Sequence, residues 1–270
     1  MKCFSIDLDG TLLNSKHEIS EENLTVIKSL LNEGHHVIIN TGRAIQDVLK
    51  INAVEQLRLP IFCINGSVLF SKNRELLYEA TLSIETYQEV YRQLKELEVE
   101  VLVYTNEGGL PTTLPPLHKK TWEEAQKLFR EFNYDSILSI PDLKIFKMIA
   151  LVDKENIAQI DKVKEVLERV PNLSLASSFP NNLEITSGDA HKGKAILRYA
   201  ELMGVQYDEI YAFGDGGNDL GQFEVATTSV AMANAPKNIQ EKADIVTKTN
   251  DENGFAYAVK HLLPLRTITV

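Results

Sequence analysis

Two aspartates stand two residues apart at the end of the first apolar run of the chain. The run Lys2–Asp7 is typical of a buried strand, and Asp7 and Asp9 fall at its carboxyl end, just before Gly10. Two carboxylates at this spacing can share a metal ion or divide the roles of nucleophile and acid. A turn with two solvated acids is the simpler alternative. A calcium loop of the EF-hand type is disfavoured, because Thr11 interrupts its acidic pattern.

Two further segments carry groups suited to metal or phosphate chemistry. The turn Gly214–Asp219 (GDGGND) offers two acids and an asparagine, which are oxygen ligands of the kind that suits Mg²⁺. The segment Asn40–Arg43 (NTGR) offers a hydroxyl and an exposed backbone N–H ahead of a helix. Taken alone, the second segment fits an ordinary turn equally well. Lys192, which opens another helix, is by itself most typical of a solvated surface charge.

Strands and helices alternate on both sides of these motifs. The sequence predicts strands at 2–7, 37–39, 61–64, 210–213, 229–231 and 245–246, a hairpin at 68–78, and helices at 20–34, 44–51, 192–203, 219–223, 237–242 and 255–263. This order predicts a doubly wound α/β core with a parallel sheet covered on both faces. Ligands of such sheets bind beyond the carboxyl ends of the strands, so Asp7, Thr41 and Asp215 are expected on one rim.

Residues 82–187 have a different character and are predicted to form an inserted α+β domain, which leaves 1–81 and 188–270 as the core. The pattern predicts helices at 83–97, after Lys120 and at 157–167, and strands at 101–104, 144–152, 173–176 and 183–186. The proline-rich segment Asn106–Lys120 is predicted to be a long functional or mobile loop. Its His118, Lys119 and Lys120 either supply cationic contacts to a substrate or form a solvated basic turn.

Charge and cysteine content limit the possible partners. The chain of 270 residues has 28 Lys and Arg against 38 Asp and Glu, a net charge of −10. This balance argues against a nucleic-acid surface, and it requires that an anion be bound by a metal ion, a lysine or backbone N–H groups.

Cys3 and Cys63 are expected to be small buried hydrophobes in a reducing compartment. With neither a signal peptide nor a membrane helix predicted, we expect a cytoplasmic monomer or homodimer that binds neither nucleic acid nor membrane.

The ordered set of motifs resembles the haloacid dehalogenase (HAD) superfamily, and within it the Cof-type phosphatases with an inserted α/β cap of type IIB. The similarity covers nearly the whole sequence, and it includes three more motifs in the family's order: Asn65–Gly66, Met232–Ala235 and Asp251–Gly254. The resemblance implies a Rossmann-like core, an Mg²⁺ cofactor and phosphate monoesters as substrates. Two positions depart from the family pattern: Ala233 stands where glycine is usual, and Gln222 where methionine is usual.

The resemblance also implies a role for each motif residue. Asp7 attacks phosphorus and becomes an aspartyl phosphate, while Asp9 protonates the leaving oxygen and then activates the hydrolytic water. Mg²⁺ is held by Asp7, the backbone carbonyl of Asp9 and Asp215. The remaining implied roles are phosphate binding by Leu8, Thr41, Gly42, Lys192 and Asn218, support of the metal by Asp219 and Asn218, and substrate contacts by Arg43 and Asn65.

The substrates implied by the resemblance are small organic phosphates, such as sugar phosphates, pyridoxal phosphate or flavin mononucleotide. A sugar phosphomutase of the same superfamily and a non-catalytic phosphate or metal sensor are the alternatives. Release of phosphate from sugar monophosphates, rather than formation of an isomer, distinguishes a phosphatase from a phosphomutase. Turnover of an aryl phosphate with Mg²⁺ distinguishes an enzyme from a sensor. The inserted domain is expected to select the leaving group and to move about its connections at 81–83 and 187–189, where Gly188 can absorb a backbone change.

Overall fold

The computed structural model describes residues 1–111 and 120–265 and divides the chain into two compact units. The core unit comprises Met1–Glu79 and His191–Val270, and the inserted unit comprises Ala80–Ala190. The divisions at 79/80 and 190/191 stand near the expected boundaries of 81/82 and 187/188. In the described part of the chain, no helix is long and apolar enough to cross a membrane.

The elements follow the predicted order along the chain. The first part of the core unit contains strands β1 (Lys2–Ile6), β2 (His36–Asn40), β3 (Ile61–Cys63), β4 (Val68–Phe70) and β5 (Leu76–Glu79), and helices α1 (Glu21–Asn32), α2 (Ile45–Val48) and α3 (Asn52–Leu57). The inserted unit contains strands β6 (Glu100–Thr105), β7 (Gly108–Leu110), β8 (Ile145–Leu151), β9 (Leu173–Ala176) and β10 (Asn182–Ser187), and helices α4 (Ile84–Glu96), α5 (Trp122–Glu131) and α6 (Ala158–Leu167). The last part of the core unit contains strands β11 (Glu209–Gly214), β12 (Thr228–Ala231) and β13 (Ile245–Val246), and helices α7 (Lys192–Met203), α8 (Leu220–Val225), α9 (Lys237–Gln240) and α10 (Gly254–His261).

One eight-stranded sheet runs through the core unit in the order β13-β12-β11-β1-β2-β3-β4-β5. The strands from β13 to β3 are parallel, and the β4–β5 hairpin extends the sheet antiparallel, so the predicted α/β fold is confirmed. Ile6 lies opposite Phe213 on one side and Ile39 on the other, which brings β1, β2 and β11 to an end at one level. Cys3 and Cys63 are buried within this sheet, as expected.

Local signals fix where the core helices begin and end. Helix α1 begins after Ser20, whose Oγ accepts a hydrogen bond from Asn23 N at 3.2 Å. Helix α7 ends at Gly204, which adopts a left-handed conformation with φ of 63°. The helix expected at 44–51 is instead short, and a second helix, α3, follows it directly.

The inserted unit is built on a five-stranded antiparallel sheet in the order β7-β6-β8-β10-β9. Side chains alternate across β6, so Val101 and Val103 join the core beneath α4 and α6, whereas Leu102 packs against Phe129 of α5 on the opposite face. The sheet is therefore covered by two helices on one face and by one helix on the other.

Strand β7 lies within the segment that was expected to be a loop, so that part of the expectation is wrong. It pairs with β6 across a two-residue turn, with Gly108 opposite Thr105 and Leu110 opposite Val103. Glycine has a low propensity for strands, so β7 depends on its hydrogen bonds with β6. Residues 112–119, which include His118 and Lys119, lie outside the described residues.

The expected hinge residue Gly188 is bonded within the inserted unit. Its N–H donates to the Asn172 carbonyl oxygen at 2.6 Å, and an added Cβ would stand 2.5 Å from Asn172 Oδ1. At the other connection, Leu82 N donates to the Ile145 carbonyl oxygen at 2.8 Å. Both connections are therefore hydrogen-bonded within the inserted unit, and the expected movement stays a prediction.

Candidate active site

The ends of three parallel strands bring the motif residues of the core unit together. Asp7 directly follows β1, and its N–H donates to the Phe213 carbonyl oxygen of β11 at 3.1 Å. Thr41 directly follows β2, and Asp215 directly follows β11. Since the carboxyl ends of parallel strands share one edge of the sheet, these segments lie on the rim that the sequence indicates.

Three carboxylates and one lysine meet at this rim. Oxygen atoms of Asp7, Asp215 and Asp219 lie within 4.8 Å of one another. Lys192 is fully buried, and its Nζ donates to Asp7 Oδ1 at 2.6 Å and to Asp219 Oδ1 at 2.7 Å. Three acids against one lysine leave this acid cluster, defined as Asp7, Asp215, Asp219 and Lys192, with excess negative charge.

Close packing of two helices brings Lys192 to the acids. Lys192 is the first residue of α7, where His191 Nδ1 accepts from Gly193 N at 3.2 Å and from Lys194 N at 3.3 Å. Gly193 approaches α8 so closely that an added Cβ would stand 2.0 Å from the Gly221 carbonyl oxygen. A side chain at position 193 would push α7 away and withdraw the lysine, which explains the Lys-Gly pair of the sequence.

Asp219 shapes the second acidic turn. Its Oδ2 accepts from the backbone N–H groups of Asp215 at 2.9 Å and Gly216 at 3.0 Å. Thr11 Oγ1 donates to Asp215 Oδ1 at 3.2 Å. Gly10 has a φ of 73°, and an added Cβ would stand 2.2 Å from Asp215 Oδ2. Glycine is therefore required where the first acidic turn meets the second.

Burial and crowding change the proton affinities within the acid cluster. Loss of solvation is the main cause that raises the pKa of Asp7 well above its ordinary value, and Asp219 and Asp215 add to this effect while Lys192 opposes it. Burial, followed by repulsion from Asp219, raises the pKa of Asp215 to about 7. Burial acts to lower the pKa of Lys192, but Asp219 and Asp7 outweigh it and raise that pKa. The lysine is therefore charged, and one positive charge does not satisfy three acids.

The side chain of Asp9 stands apart from the acid cluster. It is 49% exposed and accepts two hydrogen bonds from one guanidinium, from Arg43 Nε at 2.7 Å and from Arg43 Nη2 at 2.5 Å. Arg43 is placed by the turn after β2, where its N–H donates to Thr41 Oγ1 at 3.2 Å. Bidentate pairing fixes the plane of the Asp9 carboxylate. Arg43, which was expected to contact a substrate, thus bonds to Asp9.

Comparison with known proteins identifies the family. A model of the haloacid dehalogenase-like hydrolases matches residues 4–259 of the chain. The chain belongs to this family.

Relatives and solved structures narrow the type of hydrolase. A 5-amino-6-(5-phospho-D-ribitylamino)uracil phosphatase of Bacillus subtilis (strain 168) is 33% identical over 97% of this chain and 98% of the relative. A second protein of the same strain, named a phosphatase, is 32% identical over 97% of this chain and 100% of the relative. A solved haloacid dehalogenase-like hydrolase from B. subtilis has a TM-score of 0.84 at 28% identity and covers 97% of this chain and 100% of that chain. The resemblance to Cof-type phosphatases is confirmed, and the chain is a hydrolase of the phosphatase type.

Other residues of this haloacid dehalogenase-like hydrolase that were expected to bind the phosphate, or in the case of Asn65 the substrate, lie in the same region. Asn218 Nδ2 donates to Asn65 Oδ1 at 3.2 Å. Gly42 lies so close to Asn65 that an added Cβ would stand 3.1 Å from its Oδ1. Leu8 and Thr41 are buried. The structure brings Asn218, Asn65 and Gly42 together, and the binding roles of all five residues remain proposals.

A hydrogen-bonded group of three polar residues beside the acid cluster was not predicted from the sequence, although one of them, Asn40, opens the Asn40–Arg43 motif. Ser5, Asn40 and Gln222 are fully buried and hydrogen-bonded to one another. The sequence did carry a signal: Ser5 and Asn40 are polar residues in the apolar runs of β1 and β2. A polar side chain that is buried in this way needs a hydrogen-bond partner. The sequence marks Gln222 only as a departure from the family pattern, yet it bonds to Asp219. The other departure, Ala233, is exposed and keeps a backbone hydrogen bond.

The acid cluster of this phosphatase fits a divalent cation. Carboxylate oxygens are the ligands that Mg²⁺ prefers. A cation near Asp7 and Asp215 would stabilise their charged forms against burial and against repulsion from neighbouring acids, which together raise their pKa values. Asp219 differs from these two acids, because Lys192 engages its Oδ1 and two backbone N–H groups engage its Oδ2. Asp219 is therefore suited to support a metal ion, whereas Asp7 and Asp215 are suited to bind one.

Proposed function

We propose that the protein is an Mg²⁺-dependent phosphatase that hydrolyses small organic phosphate monoesters through an aspartyl phosphate on Asp7. The strongest support is the position of Asp7, which is buried at a strand end, bonded to Lys192 through one oxygen and close to Asp215. A fixed carboxylate can attack phosphorus and divide hydrolysis into two easier displacements. Phosphoryl transfer depends mainly on positioning and charge stabilisation, and the acid cluster with its lysine is built for both.

Asp9 is assigned the proton transfers of both steps. In the first step, Asp7 Oδ2 attacks phosphorus and Asp9 gives its proton to the leaving oxygen. In the second step, Asp9 takes a proton from the water that attacks the aspartyl phosphate, which releases inorganic phosphate and restores the Asp7 carboxylate. The place of Asp9 two residues after Asp7 and the exposure of its side chain support this assignment. General acid and base catalysis contributes about 10²–10⁴-fold to rates.

The transferring phosphoryl group is assigned to Lys192 and Thr41. Two of the three N–H groups of the Lys192 ammonium go to Asp7 and Asp219, and the third is assigned to a phosphoryl oxygen. The Thr41 hydroxyl accepts from Arg43 N and still has its own proton to donate. Backbone N–H groups of Leu8 and Gly42 and the Asn218 amide complete the proposed phosphate site.

Mg²⁺ is assigned to Asp7, Asp215 and the backbone carbonyl of Asp9, with Asp219 and Asn218 in support. When bound, Mg²⁺ neutralises charge on the phosphoryl oxygens and orients the group for in-line attack. The Asp9 side chain is engaged by Arg43, which is consistent with its backbone acting as the ligand. The raised pKa values of Asp7 and Asp215 support the need for a cation at this position.

The substrate is assigned to the class of phosphorylated sugars, sugar alcohols and cofactors. The relative with 33% identity is named for a phosphate ester on a ribityl chain, and it aligns with nearly the whole of this chain. The inserted unit, Ala80–Ala190, is assigned the selection of the leaving group, and the core unit is assigned the chemistry. Such metabolites are cytoplasmic, which agrees with the cytoplasmic location that we propose.

A screen of phosphorylated metabolites for Mg²⁺-dependent release of inorganic phosphate tests this function. The wild-type protein should release phosphate from p-nitrophenyl phosphate and from a subset of sugar or cofactor phosphates, whereas Asp7→Asn should not. Isomerised sugar phosphate without release would indicate a phosphomutase. Binding of inorganic phosphate without turnover of any ester would indicate a sensor, and either of these results would replace the proposal.

A further inference from the structure

We propose that Gln222 is a positioning residue that holds Lys192 against Asp7 by way of Asp219. The inference rests on the proposed phosphatase function and adds to it a residue that touches neither the substrate nor the reacting atoms. Gln222 lies in α8 and is fully buried. Its side-chain amide bonds to Asp219, which accepts from the Lys192 ammonium, and to Asn40, which donates to the Lys192 backbone.

The nitrogen of the Gln222 amide fixes Asp219. Gln222 Nε2 donates to Asp219 Oδ1 at 2.9 Å and to the Phe213 carbonyl oxygen at 3.0 Å. Asp219 Oδ1 is the same oxygen that accepts from Lys192 Nζ at 2.7 Å. Because Phe213 belongs to β11, the amide ties the Asp219 carboxylate to the central sheet and sets the point where it meets the lysine.

The oxygen of the same amide reaches the backbone of the lysine through Asn40. Gln222 Oε1 accepts from Ser5 Oγ at 2.8 Å and from Asn40 Nδ2 at 3.3 Å. Asn40 Nδ2 also donates to the Lys192 carbonyl oxygen at 3.0 Å. Lys192 is therefore held at both ends, its backbone by Asn40 and its ammonium by Asp219, and Gln222 bonds to both of these residues.

These contacts require a donor and an acceptor on one side chain. A methionine has a similar length, but it offers no N–H to Asp219 and no strong acceptor to Ser5. A glutamate keeps the acceptor but adds another acid beside Asp219. Loss of the amide would leave buried polar partners unsatisfied, and such groups rearrange to find other bonds. The Asp219 carboxylate would keep the two backbone N–H groups on Oδ2 but lose the amide donor on Oδ1, so Oδ1 could shift, and the ammonium bonded to it could shift with it.

Precise placement of that ammonium matters for the proposed reaction. The lysine side chain has several rotatable bonds, so its partners decide where the charge stands. Misplacement of a catalytic group by about 1 Å can lower a rate by about 10²-fold. Loss of Gln222 should therefore lower kcat, and it should change KM less, because Gln222 does not touch the substrate.

The test compares Gln222→Met with the wild-type protein on p-nitrophenyl phosphate at saturating Mg²⁺. We expect kcat to fall about tenfold and KM to change less than about twofold. Thr247→Val is the matched control, because it removes a buried hydrogen bond of the same unit, from Thr247 Oγ1 to the Gly254 carbonyl oxygen at 2.7 Å. It should lower Tm and leave kcat within about twofold of wild type.

A double-mutant cycle with Lys192→Met shows whether Gln222 acts through the lysine. In the Lys192→Met background, adding Gln222→Met should lower kcat by less than about twofold, because no ammonium remains to be positioned. A wild-type kcat in the single variant, or the same tenfold loss in both backgrounds, would overturn the proposal.

A second variant covers the case in which Gln222→Met does not fold. Ser5→Ala removes one of the two donors to Gln222 Oε1 and should lower kcat about threefold, with no effect in the Lys192→Met background. An unchanged kcat in Ser5→Ala, or an equal loss in both backgrounds, would overturn the proposal. A wild-type protein without any phosphatase activity would instead refute the proposed function, so the two failures are distinguishable.

Discussion

The two units of the molecule both bury charged side chains, but they balance those charges differently. In the core unit, three carboxylates cluster near the ends of parallel strands, and one lysine pairs with two of them. In the inserted unit, Lys147 of β8 and Glu184 of β10 form a buried ion pair, with Lys147 Nζ 3.5 Å from Glu184 Oε2, within an antiparallel sheet. Lys147 Nζ also lies 5.0 Å from the centre of the Tyr104 ring, and Glu184 Oε1 accepts from Ser178 Oγ at 2.8 Å. Buried charge therefore occurs in both units, and the excess of acids is a feature of the strand ends of the core unit.

The physical consequences of the two arrangements are opposite. A buried pair of opposite charges needs no further ion. Removing one partner leaves the other charge buried without compensation. A cluster with excess acids raises its own pKa values and gains from a cation. Removing one carboxylate should therefore damage stability in the inserted unit and chemistry in the core unit.

The largest effect is expected from Asp7→Asn. Turnover of p-nitrophenyl phosphate should fall by about 10⁴-fold or more, because an amide cannot form the acyl phosphate. The Tm should stay the same or rise, since the substitution removes one of the excess acids and Lys192 keeps Asp219 as a partner. Steady-state kinetics and a thermal melt on the same sample test both expectations. Turnover close to wild type would show that another group is the nucleophile.

Removal of divalent cations should have the next largest effect. Excess chelator should reduce turnover to the background rate, and added Mg²⁺ should restore it, because the acid cluster needs a cation to bind an anionic substrate. Ca²⁺ should inhibit in competition with Mg²⁺, because the larger ion accepts more oxygen ligands and can take both oxygens of Asp7. Full activity in excess chelator would contradict the assignment of the metal.

The pKa of Asp215 predicts how the Mg²⁺ requirement changes with pH. Burial and the neighbouring Asp219 raise this pKa to about 7, and a protonated carboxyl does not bind the ion. Below about pH 7 the Mg²⁺ concentration for half-maximal activity should rise by about tenfold or more per pH unit as the pH falls, because the pKa of the second proposed ligand, Asp7, is raised as well. A requirement that does not change between about pH 6 and about pH 8 would contradict the role of Asp215.

The same shift has a consequence for stability. Between the ordinary pKa of 3.8 and about 7, the folded metal-free protein binds more protons at Asp215 than the unfolded chain does. Its free energy of unfolding should therefore fall as the pH rises through this window. Mg²⁺ binds the deprotonated site, so the increase in Tm that it produces should be larger near pH 8 than near pH 6. Thermal melts with and without Mg²⁺ at the two pH values measure this difference.

The fold and the strand-end motifs were predictable because their signals are local. Ser20 caps α1 within one turn, and β1 and β2 are short apolar runs whose ends are visible in the sequence. Topology then placed Asp7, Thr41 and Asp215 on one rim without any knowledge of their contacts. The resemblance to a known family added the roles of these residues, which the patterns by themselves left open.

Contacts between distant residues were not predictable from patterns of this kind. Arg43 and Asp9 lie 34 positions apart, and Ser5 and Gln222 lie 217 positions apart, so no periodicity connects either pair. Strand β7 was missed for a related reason: two of its three residues are glycine, and pairing with β6 rather than propensity makes it a strand. In each case the conformation of the segment depends on a partner that lies outside it, so the local sequence alone does not predict it.

The smallest effect on turnover is expected from the buried ion pair of the inserted unit, Lys147 and Glu184. Glu184→Gln removes the carboxylate from Lys147 in a buried site, so the free energy of unfolding should fall by about 3 kcal/mol. The double variant Lys147→Met with Glu184→Leu should recover most of that loss, because apolar residues of similar size often replace a buried ion pair without harm. Turnover of p-nitrophenyl phosphate should stay within about twofold of wild type in both variants below their Tm, because so small a substrate draws little binding energy from an inserted domain. Denaturant unfolding and kinetics on the same samples separate the two effects. A large loss of kcat in the stable double variant would show that this pair takes part in the chemistry, and the contrast between the two units would then be wrong.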